Sequence, residues 1–395
     1  MVEQSKRLYF IDAMRAWAIL MMLQGHFIDG LLDPVFRDPE NLAFNTWKYF
    51  RGITAPVFFT VSGFIFTFLL VRAPRQGWDN PRIRKGVRRG LQLIGIGYLL
   101  RTNLFGLLDG VLYPSFYLVD VLHCIGVALL TVIGLYLVAS KGPRQLFPAL
   151  LLGLGLVLFL FEPVYKAWDY SWMPAMAANY FTKANGSVFT IIPWVGYATI
   201  GGFLALVFRR YREDRMLYLK SIAACLLAGA GLIWYSSAFF HWAGQQTGWE
   251  LFPMIVSNNY LFIRLGDVML VFAVFMILRS LMKQPLFLSI GQNTLSIYVI
   301  HFILLYGSFT GMGLYRFLHH SLTPWAAIAG ALAFMLACTW AALAYDRHEA
   351  RILEGIRELR GLAGKGIESS LRIAFRALRV QWGRLSRFLG LASRS

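Results

Sequence analysis

The first apolar segment of the chain carries polar side chains at a spacing that could support chemistry. Six residues recur alternately three and four positions apart, namely Asp12, Arg15, Ile19, Met22, His26 and Asp29. Residues at these spacings share one face of an α-helix. A neutral imidazole can take a proton from a hydroxyl or an amine near neutral pH, as a general base does. The pattern therefore predicts a helix that presents a candidate base, His26, on its polar face.

The same face places opposite charges one helical turn apart. Asp12 and Arg15 are close enough in sequence for their side chains to form an ion pair. His26 lies about 16 Å further along the axis, at roughly 1.5 Å per residue. Charged groups within a bilayer face protein or a water-filled cavity, so this face should point inward. The structural alternative for His26 is a hydrogen bond that bridges two helices.

Polar side chains in later apolar segments are expected at a similar depth. They are Arg101, Asp120, His123 and His301. With His26, these residues bring histidines from three helices to positions where they could line one outward-facing cavity. Each histidine could instead serve only as a bridge between helices.

A basic cluster precedes the third apolar segment. Lys85, Arg88 and Arg89 lie where that segment begins. Such side chains bind phosphate, so the cluster could hold the phosphates of a nucleotide-like donor. Cytoplasmic loops of membrane proteins are also basic without any ligand, and this alternative stays open. The adjacent His319 and His320 cannot share a helix face, so we expect no metal site.

The elements that must position these residues are hydrophobic throughout. Of 395 residues, 57% are hydrophobic and 15% are charged, and the mean hydropathy is +0.56. Soluble globular proteins carry about 25% charged residues, so this composition excludes a soluble globule of this size. The net charge of +18 lies mostly in short loops and in the C-terminal region. That distribution is typical of membrane proteins and argues against nucleic-acid binding.

The predicted fold class is an all-α integral membrane protein, a bundle of about ten transmembrane helices followed by a basic amphipathic C-terminal tail. A spanning helix needs about 20 mostly apolar residues. The segments that qualify are about 9–29, 53–71, 89–108, 117–138, 146–162, 187–208, 218–238, 259–281, 285–307 and 323–345. We therefore predict a transmembrane domain at 1–346 and a cytoplasmic tail at 347–395.

The charges of the loops predict the orientation of the chain. Loops after the even-numbered segments are rich in Arg and Lys, whereas the opposite loops carry Asp and Glu with few bases. Since cytoplasmic loops carry the basic excess, both termini are expected in the cytoplasm. A bacterial inner (plasma) membrane fits this distribution.

The tail is predicted to be a helix with one apolar stripe and a cationic remainder. Arginines alternate with apolar residues that recur every three or four positions, at Leu371, Phe375, Leu378, Trp382, Leu385 and Leu389. Such a helix suits a membrane surface that contains anionic lipids. The alternative is a loosely ordered, solvated tail.

Three stretches together resemble the transmembrane acyltransferase superfamily, chiefly the large membrane acyltransferase family three. They are FIDAMRAWAILMMLQGH at 10–26, APVFFTVSGFIFTFLL at 55–70 and IGQNTLSIYVIH at 290–301. The related heparan-α-glucosaminide N-acetyltransferase-like proteins also begin with an Asp-x-x-Arg helix, and DVLHCIG at 120–126 is similar to that branch. The family often has a paired-Arg signature at the third segment, where this sequence has Lys85-x-x-Arg88 followed by Arg89.

The resemblance implies an acyltransferase that uses acyl-CoA, with acetyl-CoA as the expected donor and no metal. The donor phosphates would meet the basic cluster at 85–89, and the pantetheine arm would pass Arg15 toward His26. His26 would deprotonate the acceptor or carry the acyl group covalently, while Asp12 would orient Arg15. The acceptor would be a saccharide or glycolipid, and its side of the site would contain Arg101, Asp120, His123, Tyr298 and His301.

Two functions of other classes fit the same residues. A transporter of a lipid, sugar or ion also places polar groups at mid-depth. The sequence shows none of the Gly- or Pro-broken helix pairs and inverted halves that are expected of many transporters. A non-catalytic member of the family could dock partners through its basic tail.

Overall fold

The computed structural model describes residues 8–352 and 354. These residues form helices and loops, and the described part of the chain has no β-strand beyond isolated bridges of Leu32 with Leu322 and of Asn103 with Phe309. The predicted all-α class is therefore confirmed. Within the described residues, the boundary between two compact units falls between Ala341 and Ala342. The predicted tail begins near the end of the described residues and lies almost wholly outside them, so it stays a prediction.

The long helices are numbered here in chain order. They are α1 Tyr9–Leu31, α2 Leu42–Arg72, α3 Pro81–Leu100, α4 Val121–Ala139, α5 Leu146–Leu160, α6 Ile191–Arg210, α7 Leu217–Thr247, α8 Tyr260–Ile277, α9 Pro285–Gln292, α10 Thr294–Tyr306 and α11 Pro324–Ile352. Helix α7 contains a π-helical turn at Gly231–Tyr235. Short helical turns in the loops are Pro34–Phe36, Gly77–Asp79, Leu104–Leu108, Pro114–Tyr117, Glu162–Ala167, Ala175–Ala178, Leu251–Ser257, Leu278–Ser280 and Leu314–Leu318.

Polar residues mark where several helices begin. The Asn41 side chain accepts a hydrogen bond from the Phe44 backbone N–H and caps α2. Asn80 caps α3 in the same way, with Pro81 as the first helical residue. A side-chain acceptor at this position satisfies a backbone N–H that has no partner within the helix. The local sequence thus sets the start of the two helices that follow basic or polar loops.

Within the described residues, six helices are long and apolar enough to cross a membrane. They are Leu42–Arg72, Pro114–Ala139, Ile191–Arg210, Leu217–Thr247, Tyr260–Ser280 and Pro324–Ile352. Helices α9 and α10 meet at a 71° bend and would make a seventh span if they are counted as one. The broken pair differs from the expectation that the chain lacks such breaks.

The other predicted spans correspond to helices α1, α3 and α5. Helix α1 carries three charged residues within its length, and the first half of α3 is strongly basic. Helix α5 has only 15 residues. A bilayer core about 30 Å thick needs about 20 residues of helix. Because of their charge or their length, these helices do not qualify by composition, and the count of ten spans stays a prediction.

Helices α2 and α6 touch through their backbones near the middle of the bundle. A Cβ atom added at Gly63 would lie 1.9 Å from the Ala198 carbonyl oxygen, and one added at Gly201 would lie 1.9 Å from the Thr60 carbonyl oxygen. Small residues at a helix contact let backbones approach closely, as membrane helices often do. This pair forms the rigid centre against which α1 and α8 pack.

Helix α1 is held from two sides. Its first turn places Phe10 in an aromatic cluster with Phe64 of α2 and Phe272 of α8, with ring centroids 5.9 to 6.5 Å apart. On the other side, a Cβ atom at Gly291 of α9 would lie 2.0 Å from the Asp12 carbonyl oxygen. The polar face of α1 is therefore fixed against α9 and α10.

Candidate active site

Two histidines from α1 and α10 meet. His26 Nδ1 lies 3.1 Å from His301 Nε2, which is hydrogen-bonding distance, and the ring centroids are 5.2 Å apart. His301 is fully buried, whereas His26 is half-buried. The His301 Nδ1 faces the carbonyl oxygens of Ile297 and Tyr298 one turn earlier, without a well-formed hydrogen bond to either. His26 is thus the exposed member of a histidine pair.

His26 lines a cavity of about 230 Å³, which we call the histidine cavity. Helix α1 contributes Met22 and Gly25, and α2 contributes the segment from Arg51 to Phe58. The loop before α6 and the starts of α6 and α8 close the remaining wall with Lys183, Val188, Phe189, Trp194 and Tyr260. Because His26 Nδ1 is engaged by His301, its Nε2 is the nitrogen available to a molecule in this cavity.

An ion pair stands at the edge of the histidine cavity. Asp29, one turn beyond His26, forms a salt bridge with Arg51 of α2. Gly25 leaves room for it, since the Arg51 Cγ passes 3.3 Å from where a Cβ atom would lie. Both partners are partly exposed, so solvent screens their attraction. Their main effect is to tie the outer end of α1 to α2 beside His26.

Arg15 lies deeper along the same face of α1. Its Nη1 is 3.8 Å from Asp12 Oδ1, so the predicted pairing is present. Its Nη2 donates a hydrogen bond of 3.0 Å to Thr294 Oγ1, at the break between α9 and α10. Arg15 does not line the histidine cavity. The break in the helix thus receives a charged group that would otherwise face the interior of the bundle.

A buried polar network extends behind His301. Arg101 Nη2 lies 3.0 Å from Asp120 Oδ2, and both side chains are largely buried. The Tyr298 ring packs 4.8 Å from the His301 ring, and its hydroxyl lies near the Asp120 carboxylate. Asp120, Tyr298 and His301 are each buried. Of the predicted acceptor-side residues, Arg101, Asp120 and Tyr298 therefore stand behind the histidine pair, and His301 is its buried member. None of these four residues lines the histidine cavity.

His123 takes a structural position. Its Nδ1 accepts a hydrogen bond of 3.0 Å from the Asp120 backbone N–H in a capping arrangement at the start of α4. The ring is fully buried, with its centroid 4.3 Å from the Tyr98 ring. It does not line the histidine cavity. The structure thus brings together His26 and His301 but not the third histidine, because helix capping and aromatic packing hold His123 at α4.

The basic cluster at the start of α3 stays on the surface. Lys85, Arg88 and Arg89 are exposed, and Arg89 Nη1 donates a hydrogen bond of 3.3 Å to Gln92 Oε1. None of the three lines the histidine cavity. The cluster is accessible to an anionic ligand, and the bundle packing does not enclose it.

Several side chains at the site had no sequence signal of their own. Thr294 is a common hydroxyl within an apolar helix, and Arg51 precedes the apolar part of α2, so neither pattern pointed to the site. A neighbouring cavity of about 510 Å³ adjoins the histidine cavity. Three residues line both cavities, namely Lys183, Trp194 and Tyr260. Burial lowers the pKa of the Lys183 ammonium, and the Lys166 charge lowers it further. The one sequence pattern that pointed to the edge of the histidine cavity was the polar face of α1, which includes Asp29.

The arrangement can support proton transfer from a hydroxyl or amine that enters the histidine cavity. The His26 side chain lines the cavity, and one of its two ring nitrogens is held by a second imidazole. Among residues 8–352 and 354, no group of three or more His, Cys, Asp or Glu side chains could hold a metal ion.

Comparison with known proteins places the whole helical region in one family. The family model described as an acyltransferase domain, that of membrane acyltransferase family 3, matches residues 8–344. No curated protein matches the sequence. The matched range contains α1 with Arg15 and His26, the broken pair α9 and α10, five of the six helices that are apolar enough to cross a membrane, and most of the sixth, Pro324–Ile352. This multi-pass membrane protein therefore belongs to membrane acyltransferase family 3 and is an acyltransferase.

Proposed function

We propose that the protein moves an acyl group, expected to be acetyl, from cytoplasmic acyl-CoA to a hydroxyl or amine of an extracytoplasmic saccharide. The observation that carries this proposal is that His26 lines a cavity while His301 engages only one of its two ring nitrogens, Nδ1. The family supplies the reaction class. A bacterial inner membrane with both termini in the cytoplasm would place donor and acceptor on opposite sides.

In the direct reaction, His26 acts as the general base. The acceptor oxygen or nitrogen attacks the thioester carbonyl, and His26 Nε2 takes the proton that the acceptor loses. A bond forms between the carbonyl carbon and the acceptor, and the bond from that carbon to sulfur breaks. The proton then passes from His26 to the departing thiolate. This series of steps returns the enzyme to its starting state and needs no metal.

In the covalent alternative, His26 is the nucleophile. Its Nε2 attacks the thioester, the thiolate leaves, and the acyl group rests on the imidazole until the acceptor removes it. The pair with His301 serves both routes, because it fixes the ring orientation of His26. His301 is fully buried and is therefore assigned a positioning role.

The other charged residues are assigned by their position along α1. Arg15, held by Asp12 and Thr294, would guide the donor chain between the inner face and the histidine cavity. Lys85, Arg88 and Arg89 are exposed at the start of α3, where the donor phosphates can reach them. Acceptor sugars would enter through the cavity that shares Lys183, Trp194 and Tyr260 with the histidine cavity. Aromatic and polar walls of this kind suit a ligand with both apolar and hydroxylated faces.

The decisive experiment is the His26→Ala variant, purified in detergent and assayed for transfer from acetyl-CoA to a panel of surface sugars. General-base catalysis contributes about 10²- to 10⁴-fold, so transfer should fall by at least about a hundredfold. The matched control is His241→Ala, because His241 is exposed on α7 and lies within hydrogen-bonding distance of Gln245, at 3.1 Å. Near-normal transfer by His26→Ala would remove its central role.

A transporter is the second candidate, and the broken pair α9 and α10 is the observation that favours it. Many transporters place substrate and ion sites at discontinuous helices. Here the 71° break is beside Arg15. Uptake of a sugar or lipid into protein-containing vesicles without consumption of acyl-CoA would favour transport over acyl transfer.

A further inference from the structure

A second concave site lies among the loops that are predicted to face the cytoplasm. It is a cleft of about 1040 Å³ between the C-terminal ends of α2, α4 and α6 and the N-terminal end of α5. Its basic side chains come from three separate segments and are Arg72, Arg144, Arg209 and Arg210. We call this site the arginine cleft. Of the described residues that line it, none is Asp or Glu.

The charges of the arginine cleft are not balanced within its walls. Guanidinium groups stay protonated at any physiological pH, so four of them facing one cavity repel one another. One of them is nevertheless held in place, because Arg209 donates a hydrogen bond to the Val71 carbonyl at the end of α2. A side chain that is already held loses less freedom when a ligand binds. Together these features describe a preformed site for an anion.

Membrane topology alone does not explain why these four arginines line the same cleft. Basic residues are enriched in cytoplasmic loops whether or not they bind a ligand. Arg75 in the neighbouring loop and Arg82 and Arg84 at the start of α3 satisfy that rule, and they are exposed without lining the cleft. The arginines of the cleft instead come from segments far apart in sequence and face one cavity. Membrane topology accounts for positive charge in these loops, but it does not require arginines from three segments to line one cleft.

The shape and walls of the cleft indicate the class of ligand. The planar guanidinium fork matches phosphate oxygens, and several forks suit a group with more than one charge. The cavity is far larger than a single ion, and apolar side chains, including Phe147 and Leu206, form part of its wall. Basic pockets between membrane helices on the cytoplasmic side bind phosphate-containing headgroups. These features favour a phosphate ester over a simple inorganic anion.

We propose that the arginine cleft binds a phosphate ester, either as the headgroup of an anionic lipid or as a soluble phosphate compound. The cleft shares no lining residue with the histidine cavity. None of Lys85, Arg88 and Arg89, the proposed contacts of the donor phosphates, lines the cleft either. The cleft is therefore a separate site, and its proposed ligand does not rest on the proposed function.

The test compares two charge-matched double variants of the full-length protein in detergent. Arg144→Gln with Arg210→Gln removes two cleft cations and leaves the bond of Arg209 to Val71 intact. Arg75→Gln with Arg82→Gln removes the same charge outside the cleft. One arm measures retention of added phosphatidylglycerol relative to phosphatidylcholine by native mass spectrometry. The other measures binding of inorganic pyrophosphate by thermal shift, at about 0.15 M salt so that diffuse surface attraction is screened.

We expect the cleft variant to bind at least about tenfold more weakly, since hydrogen bonds to charged groups are strong, while the control stays within about twofold of wild type. Selective loss of phosphatidylglycerol would assign the cleft to a lipid headgroup. Selective loss of pyrophosphate would assign it to a soluble phosphate compound. The proposal is overturned if wild type binds neither probe, or if the control variant loses as much affinity as the cleft variant.

Discussion

At the scale of the residue, the chemistry depends on which tautomer His26 adopts. If His26 donates from Nδ1 to His301 Nε2, its own Nε2 carries a lone pair and can act as a base. The His301 Nδ1 faces the carbonyl oxygens of Ile297 and Tyr298, which favours a proton on that nitrogen. His301 Nε2 is then the acceptor. The environment of the buried histidine thus favours the form of His26 that catalysis needs.

This assignment predicts the behaviour of His301 variants. His301→Phe removes the acceptor while keeping a ring, so kcat should fall by about tenfold or more, though less than the loss of a whole general base, about 10²- to 10⁴-fold. KM for the donor should change little, because His301 is buried and does not line the cavity. Steady-state kinetics with acetyl-CoA measures both parameters.

The control for a purely structural role is His301→Gln, which keeps a hydrogen-bond acceptor. Its kcat should recover part of the loss if His301 positions His26. Equal activity of the Phe and Gln variants, at similar yield and melting temperature, would instead assign His301 to packing alone.

Sequence periodicity could predict the face of α1 but not the partners of that face. The pairing of Asp12 with Arg15 follows from helical spacing within one element. Thr294 and Arg51 come from other elements, and their positions depend on how α2 and α10 dock against α1. His123 was expected at the cavity because of its depth, yet local capping by Asp120 decided its orientation. The depth of a residue in the membrane does not predict the direction in which its side chain points.

At the scale of the element, the site depends on helices that touch without intervening side chains. Gly63 and Gly201 make reciprocal backbone contacts between α2 and α6. Gly291 makes a similar contact between α9 and the Asp12 backbone. Such contacts leave the helices no room to slide apart or rotate without losing packing. They hold α2, which carries Arg51, against α6, and α1, which carries His26, against α9.

Gly63→Ala should therefore destabilise the bundle. The added Cβ atom would lie 1.9 Å from the Ala198 carbonyl oxygen, so α2 and α6 must separate. Overpacking costs about 1–3 kcal/mol, and sometimes more, where the obstacle is backbone. A thermal melt in detergent should show a lower unfolding temperature than wild type.

Gly134→Ala is the matched control, since a Cβ atom at this helical position meets nothing within 4 Å. Replacing a helical glycine by alanine at an open position should stabilise by about 0.5–1 kcal/mol. If both variants melt alike, close approach of α2 and α6 is not what holds the bundle together.

The lengths of the apolar segments predict where the helices lie in the sequence. They do not predict, for every helix, whether it crosses the bilayer. Helices α1 and α5 fall where apolar segments predicted them, whereas α3 at Pro81–Leu100 begins and ends earlier than the predicted segment 89–108, because Asn80 caps its start and the chain turns at Arg101. Protein surrounds much of α1, which lets it carry Asp12 and Arg15 inside the bundle. A test for membrane spans that is based on hydropathy and charge assumes that the helix faces lipid. Such a test therefore misses a helix that is surrounded by protein. The same burial makes it the element that carries the site.

At the scale of the whole molecule, the histidine cavity lies beside the middle of α2, and the arginine cleft lies at its C-terminal end. Arg51 of α2 lines the histidine cavity, and Arg72 of α2 lines the arginine cleft. At roughly 1.5 Å per residue, their Cα atoms are separated by about 31 Å along the axis. This length matches the bilayer core of about 30 Å. The separation of these two residues is compatible with cavities near opposite interfaces, as proposed for the acyl acceptor and for the phosphate ester.

Labelling with a membrane-impermeant maleimide tests this arrangement and the number of spans together. After the native Cys124, Cys225 and Cys338 are replaced by alanine, single cysteines are introduced by Arg75→Cys, Asp109→Cys, Lys141→Cys and Ser171→Cys, all at exposed positions. The first two flank α3, and the last two flank α5.

If α3 and α5 both cross, intact cells should label positions 109 and 171 but not 75 and 141, which should label only after lysis. This pattern follows because basic loops stay in the cytoplasm. Equal labelling of 75 and 109 would mean that α3 does not cross, and equal labelling of 141 and 171 would mean the same for α5. Labelling of 75 from outside would reverse the orientation and place the arginine cleft away from the cytoplasm.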